Sequence, residues 1–435
     1  MTHRTPSFPS RLAHSHIPTG QRGAAALLVT TLLCLAMLLA VAFANRNLVV
    51  GETASARSYR STQAFEAAEA GLAWTQARLN DPARIGDDCE PAADPHASSA
   101  RDRWLRIDET SGAITTATWN DAGIATALRA ACVVGDTGWS CSCPANRAPT
   151  RPPRATDATT AAFEVEFFAG SRPGLVRVVA TGCTRGDLGC ASAAPGPHDA
   201  VARSEAMLAL LPALRSAPAA ALSVRGNVDA GIAAIGARHT QADGSRLALH
   251  AGGTIVADAL RLDVPAGSSL AGALVSGDGT IAALDADRYF ARHFGMDAAT
   301  WAAQPAARSV DCSAAADCSR AVASAFAAGA RLIVVGGDAR FAGPARFGDA
   351  DDPVALVVRG HAAISGAVAI HGVVAVESMR WNGAAIGEGF VRGATLVGGD
   401  YAGNGAPDFI HDGAVLARLM RRSSFVRVAG SWKDF

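Results

Sequence analysis

The chain has 435 residues, with 39 basic and 39 acidic side chains, so its formal net charge is zero and its pI is near 7.2. That balance offers none of the basic excess that nucleic-acid binding requires, and no nucleic-acid partner is expected. The length leaves room for two or three domains, and an aromatic fraction of 6% beside 44 glycines favours many turns and thin, regular packing.

The leader, residues 1–23, holds Arg4, Arg11 and Arg22 and no acidic residue. Residues 24–44 follow without a single charged side chain, a run long enough to cross a bilayer as a helix. A short basic flank stays in the cytoplasm, which places everything after Ala44 on the outer side. Residues 42–44 also have the small-x-small form of a secretory cleavage site, and a plain uncleaved anchor would use the same apolar residues, so this segment alone leaves both readings open. No linker follows. From Asn45 to Leu79 there is no proline, Gly51 and Gly71 are the only glycines, and Phe65, Ala68, Leu72, Trp74 and Leu79 form a broken apolar stripe at helical spacing. One helix over 24–80 is expected, roughly 80 to 90 Å long at 1.5 Å per residue and stopped by Pro82. Its first half suits lipid and its second half suits a protein surface.

Residues 81–215 read as a small α/β domain. Its opening is loop-rich, with Trp104, Trp119 and Trp139 among polar residues, and 144–154 is a proline-rich spacer. Residues 163–168, 175–180 and 201–211 alternate apolar and polar side chains and predict antiparallel strands. Residues 216–435 read as a β-rich domain with a helical insertion at about 285–330. Runs starting at Leu332, Leu356, Val373 and Phe390, each closed by glycine, are spaced by 24, 17 and 17 residues, close to one coil of a β-solenoid. Runs near 221, 247 and 272 supply further coils. A partial parallel β-helix is the favoured architecture, and an antiparallel sandwich of the same strands stays open. Residues 414–422 are expected to form a helix that caps one solenoid end, with 425–428 and 431–435 closing the fold. The whole is an α+β chain.

Of nine cysteines, Cys34 lies in the apolar run and the other eight lie beyond it. An even number in an oxidising compartment predicts disulfides. Cys183 with Cys190 and Cys312 with Cys318 close short loops, while Cys89 and Cys132 pair with Cys141 and Cys143 in either order. Metal binding through Cys141 and Cys143 lacks a second CxxC or a nearby histidine pair, and no cofactor is expected.

Two stretches together resemble the N-terminal signature of PilX-type minor pilins. One is Gln21-Arg22-Gly23-Ala24 on to Leu28, and the other is 63–72, carrying Phe65, Glu66, Ala67, Ala68, Glu69, Ala70 and Gly71. The likeness covers about residues 20–80. It implies cleavage by a prepilin peptidase after Gly23, leaving Ala24 as the new N terminus. It further implies residence in the inner membrane before assembly. The mature protein would then sit in a type IV pilus, at or near its tip, with other minor pilins, the major pilin and a large tip adhesin as partners, and with adhesion or motility downstream. Most pilins carry glutamate at mature position five, where this chain has Leu28. A buried carboxylate there neutralises the terminal amine of a neighbouring subunit, since an unpaired charge in an apolar core is costly. A tip subunit has no neighbour above it, so Leu28 suits a tip or initiation role; a helix that serves only as an anchor would not need the glutamate either. The alternatives are a large tip pseudopilin of a type II secretion system and a membrane-anchored adhesin that never polymerises.

No enzyme activity is expected. Asp349, Asp351 and Asp352 beside Pro353 read as solvated turn charges, and His239, His250, His361, His371 and His411 are dispersed, with no HExxH or GxSxG motif. Asp258, Asp263, Asp278 and Asp285 do not fit a calcium loop, and the glycine-rich segment 398–405 reads as a turn.

Overall fold

In the computed structural model the described residues are 22–94, 96–108, 111–135, 138–149, 160–184, 190, 199–241, 246–313 and 316–434. Residues 1–21 of the basic leader and 150–154 of the proline-rich spacer lie outside them. The chain divides into two compact units, 1–60 and 61–435, and the boundary falls within helix α1 (Arg22–Asn80).

In the first unit, the side chains of residues 23–46 and 48–59 are all exposed. Thr30 and Thr31 donate their hydroxyls to Leu27 O at 3.0 Å, and Thr31 also donates to Leu28 O at 2.9 Å. These two hydroxyls are thus satisfied within the helix, as an apolar solvent demands. The helix is long and apolar enough to cross a membrane.

In the second unit the end of α1 is followed by α2 (Ala100–Trp104), capped by the Ser99 hydroxyl, which accepts from Asp102 N at 3.2 Å. Two hairpins follow, β1 (Leu105–Ile107) with β2 (Ile114–Thr116) and β3 (Thr118–Asp121) with β4 (Ile124–Ala127). Then come β5 (Ala130–Gly135), β6 (Gly138–Ser142), β7 (Ala162–Ala169), β8 (Leu175–Cys183) and β9 (Val201–Leu211), an antiparallel sheet ordered β9-β8-β7-β5-β6. The alternation expected at 163–168, 175–180 and 201–211 falls on β7, β8 and β9. Phe163, Val165 and Phe167 of β7 and Val176, Val178 and Ala180 of β8 share one buried cluster with Leu72 and Leu79 of α1.

The next strands are β10 (Ala220–Val224), β11 (Val228–Arg238), β12 (Leu247–Ala251), β13 (Ile255–Asp263) and β14 (Leu274–Val275). Helices α3 (Gly279–Ala282), α4 (Ala286–Phe294) and α5 (Ala298–Ala302), strand β15 (Ala307–Val310) and helix α6 (Ser319–Ala327) occupy the place of the expected helical insertion. After them come β16 (Leu332–Val335), β17 (Ala339–Ala342), β18 (Ala345–Phe347), β19 (Val354–Ser365), β20 (Val368–Asn382), β21 (Phe390–Val397), β22 (Tyr401–Gly403) and β23 (Asp408–His411).

Every described pairing among β10 to β23 is parallel. These strands therefore do not form the antiparallel sandwich that the sequence left open. Their order in space is not their order in the chain. One continuous ladder runs β15-β16-β19-β20-β21-β10-β12-β14, so the last long strand docks on the first, with Leu222 opposite Thr395 and Val224 opposite Val397. The segment from α3 to α5 carries the chain from β14 at one end of this ladder to β15 at the other.

The last elements are α7 (Gly413–Arg421), β24 (Ser424–Arg427) and β25 (Lys433–Asp434). Contrary to expectation, α7 does not cap an end of the parallel sheet. It packs on β20 and β21, where Leu416 and Leu419 join Val373, Ala375, Ala394 and Leu396. Its apolar stripe is broad enough to cover a sheet face, and a face buries more apolar area than a strand edge. Nor do the final strands stay with the 216–435 domain. Strand β24 adds antiparallel to β9, with Ser424 opposite Leu211, and β25 pairs with the same strand at Glu205. Asn80 fixes this return from both sides, donating Nδ2 to Phe425 O at 2.8 Å and accepting from Phe425 N at 2.7 Å.

Candidate functional site

Of the residues singled out by the sequence, the motif 65–71 lies at the join of α1 and the antiparallel sheet. The buried residues over 64–79 are Ala64, Ala67, Ala68, Gly71, Leu72, Thr75 and Leu79, a stripe of helical period made mostly of small residues. Their smallness has a specific cause. Gly182 on β8 faces this stripe so closely that a Cβ there would lie 2.0 Å from Ala64 O and 2.5 Å from Ala68 N. A Cβ on Gly71 would come within 3.0 Å of Phe163 and 3.1 Å of Ala180. The helix backbone thus rests nearly on the sheet backbone, which only alanine and glycine on one side and glycine on the other permit.

The stripe read from the sequence is shifted by this packing. Phe65 and Trp74 are half-buried at the flanks of the contact, because large rings do not fit under so close an approach. Trp74 packs against Trp104 at 5.8 Å and Phe163 at 5.7 Å between ring centroids. Phe65 meets the Trp432 ring edge-on at 6.3 Å, and Glu69 Oε1 accepts from Trp432 Nε1 at 2.6 Å. The C-terminal tail therefore covers two of the motif residues, a contact across a separation of 363 residues that no local pattern signals. Glu66 is exposed and Ala70 half-buried. Gly23, Ala24 and Leu28 lie in the first turns of α1 with exposed side-chain positions, and the Cβ direction at Gly23 is open.

The structure pairs Cys183 with Cys190 and Cys312 with Cys318. It also resolves the order of the remaining four as Cys89 with Cys143 and Cys132 with Cys141. Cys132 and Cys141 face each other across the β5–β6 hairpin, where the register leaves no other partner. Because Cys141 and Cys143 belong to different disulfides, they do not form a metal pair. Arg103, nearly buried, holds the loop that carries Cys89 by donating to Ile85 O at 2.6 Å and Gly86 O at 2.9 Å, and it also donates to Cys143 O.

Of the acidic trio expected to be solvated, Asp349 and Asp351 are exposed and Asp352 is half-buried, and each has an arginine partner. Asp349 meets Arg346 at 2.7 Å and Asp351 meets Arg418 at 3.2 Å. Asp352 accepts from Arg331 at 2.7 and 2.5 Å and lies 3.3 Å from Arg422. Burial pushes the Asp352 carboxyl up, but the Arg331 hydrogen bond and the charges of Arg331 and Arg422 outweigh it and hold the group below the usual range. Asp278 and Asp285 are helix caps, on Thr280 N and Arg288 N at 2.8 and 2.7 Å. Asp278 is held down to about 2, first by the Thr280 hydroxyl and then by His250 Nε2, 2.8 Å away. In the 398–405 segment, Tyr401 is fully buried on β22.

The histidines are less dispersed than they read. His239 and His411 stack at 4.0 Å, with ring nitrogens 2.8 Å from Leu247 O and 3.0 Å from Pro218 O. They follow Arg238 and Ile410, opposite each other on β11 and β23, so only the register reveals them. Among the described residues no group of three or more histidine, cysteine, aspartate or glutamate side chains is placed to hold a metal.

Two other histidines make stability depend on pH. Burial, reinforced by Arg292, pulls His293 down to about 4, and burial with Arg346 and Arg392 lowers His371. Each binds fewer protons folded than unfolded, so stability is present above the unfolded pKa near 6.5 and is lost as pH falls towards the folded value. For His293 the loss is at most about 3 kcal/mol. Thermal unfolding recorded from pH 7 to pH 4 should show a falling midpoint, and His293→Gln should flatten that fall.

No protein-family model, curated protein or solved structure matches the chain.

Proposed function

We propose that this chain is a minor pilin of the PilX type, processed by a prepilin peptidase after Gly23 and built into a type IV pilus through α1. The observation that carries the reading is the division of labour along one unbroken helix. Residues 24–44 are exposed and apolar enough for lipid or for a filament core, and Ala64, Ala67, Ala68 and Gly71 dock on an antiparallel sheet. The signature at 63–72 thereby gains a physical reason, because its small residues are those that meet Gly182 and Ala180. In this reading the work is packing rather than chemistry. The body, with β10 to β23 read as a partial β-helix, is too bulky to repeat along a thin filament and sits at the tip with other minor pilins, the major pilin and a large adhesin. Leu28, in place of the usual glutamate, fits a subunit with no neighbour above it, and it fits equally a large tip pseudopilin of type II secretion, the second reading.

The test is the N-terminal sequence and mass of the membrane form in cells with and without prepilin peptidase. A peptidase-dependent start at Ala24, lost in Gly23→Leu, is expected. An intact Met1 or a start at Asn45 would leave an anchored or secreted protein and end the pilin reading. Sheared filaments then separate the two systems: the protein co-purifies with pili in one and is absent from them in the other.

A further inference from the structure

Two clefts in the second unit, of about 550 and 320 Å³, share Arg101, Asp102 and Arg422 as a common wall. The smaller is lined by five arginines, Arg101, Arg106, Arg418, Arg421 and Arg422, and the acids that line it among the described residues are Asp102 and Asp351. Guanidinium groups thus gather here in a chain whose net charge is zero. Arg418 and Arg421 have an ordinary explanation, since the last turn of α7 favours cations. Arg106 does not, because it comes from β1, and Arg101 stands in a helix of only five residues.

Their partners are neutral. Arg101 donates Nε to Leu79 O at 3.1 Å and Nη2 to Ser423 O at 2.5 Å, and Arg106 donates to Leu105 O at 3.2 Å and to Asp102 O. Among the described residues neither forms an ion pair within 4 Å. Asp351, paired with Arg418, is itself almost fully exposed, and Asp352, paired with Arg422, is shared with Arg331. Burial pulls the Arg101 guanidinium down to about 10, Asp102 opposing and Arg422 adding to the fall, so its charge is poorly compensated where it stands. Guanidinium groups converging from three elements on one cleft are suited to oxygen anions, which accept their forked donors.

We propose that this cleft binds an oxyanion-bearing ligand, of phosphate or carboxylate type, between α2, β1 and the C-terminal end of α7. Such an anion reaches the site as a phosphate ester or as an acidic sugar. The proposal does not depend on whether the chain enters a filament.

Isothermal titration of the full chain in detergent micelles at low salt tests it, with inorganic pyrophosphate in one arm and trigalacturonate in the other. Binding of pyrophosphate alone assigns a phosphate ligand, and binding of trigalacturonate alone assigns an acidic glycan; binding of both supports the oxyanion site without choosing. In every supporting case the double variant Arg106→Gln, Arg418→Gln weakens affinity by about tenfold or more, while Arg288→Gln on α4 leaves it unchanged. Arg106 is exposed and Arg418 half-buried, so folding of the double variant is checked by its circular dichroism. Failure of both probes at millimolar concentration, or undiminished binding by the folded double variant, overturns the proposal.

Discussion

Gly182→Val is expected to destabilise the second unit by about 3 kcal/mol or more, at the upper end of the usual cost of overpacking. The new Cβ would sit 2.0 Å from Ala64 O, 2.5 Å from Ala68 N and 3.1 Å from Ala67 C. These are backbone atoms of a helix, so no change of rotamer relieves the clash. Nor does the strand have room to retreat, because β8 is paired on both sides, to β7 and to β9. The helix must lift, and the contacts of Leu72 and Leu79 with Phe163 and Val178 loosen with it. Thermal unfolding of the full chain in detergent, followed by circular dichroism, reads the loss. Gly51→Ala is the matched control: its Cβ meets nothing within 4 Å, so the better helix propensity of alanine should stabilise slightly, by up to about 1 kcal/mol. A valine at 182 that melts with the wild type would mean that α1 does not rest on β8 as described.

The same contact explains what the sequence disclosed and what it withheld. The helix over 24–80 was legible because proline is absent from 45–79 and the apolar run is uninterrupted. Its buried face was legible in part: Ala68, Leu72 and Leu79 of the expected stripe are buried, but hydrophobicity also points to Phe65 and Trp74, whereas the closeness of Gly182, some hundred residues away, selects alanine and glycine. The alternation at 163–168, 175–180 and 201–211 revealed β7, β8 and β9, since a sheet with one buried face writes a period of two. In the parallel sheet, glycine-closed runs revealed where strands occur. They could not reveal that Leu222 lies opposite Thr395, because spatial neighbours in a reordered ladder leave no periodic mark. The proposal that Gly23 and Ala24 flank a processing site rests on their sequence setting alone. The stacking of His239 on His411, the arginine cleft, and the grip of Trp432 on Glu69 all depend on long-range register and were not.

That reordering makes one seam decisive for the parallel sheet. Among the described residues, strands β10 to β14 pair with β16 to β23 only where β21 lies on β10 and where β22 and β23 lie on β11. Asp408 of β23 crosses this seam. It lies 3.0 Å from Arg238 of β11 and 2.7 Å from Arg261 of β13, and it is nearly buried, whereas the two arginines keep part of their surface in water. Removing the acid leaves two cations facing each other with their shared partner gone. Asp408→Ala should therefore cost about 3 kcal/mol, the lower end for a broken buried pair because the arginines retain some solvent. Gly236 belongs to the same device: a Cβ there would lie 2.0 Å from Asp408 Oδ1, so Gly236→Ala displaces the carboxylate and costs stability by the same route. In the double variant the two losses should sum to clearly less than their separate values, since the carboxylate can be lost only once. Amide exchange adds the spatial test, with faster exchange expected along β11 and β13 and unchanged exchange in β7 and β8. Additive losses, or protection lost evenly through both sheets, would show that Asp408 stabilises the chain in general and does not hold the two arms of the parallel ladder together.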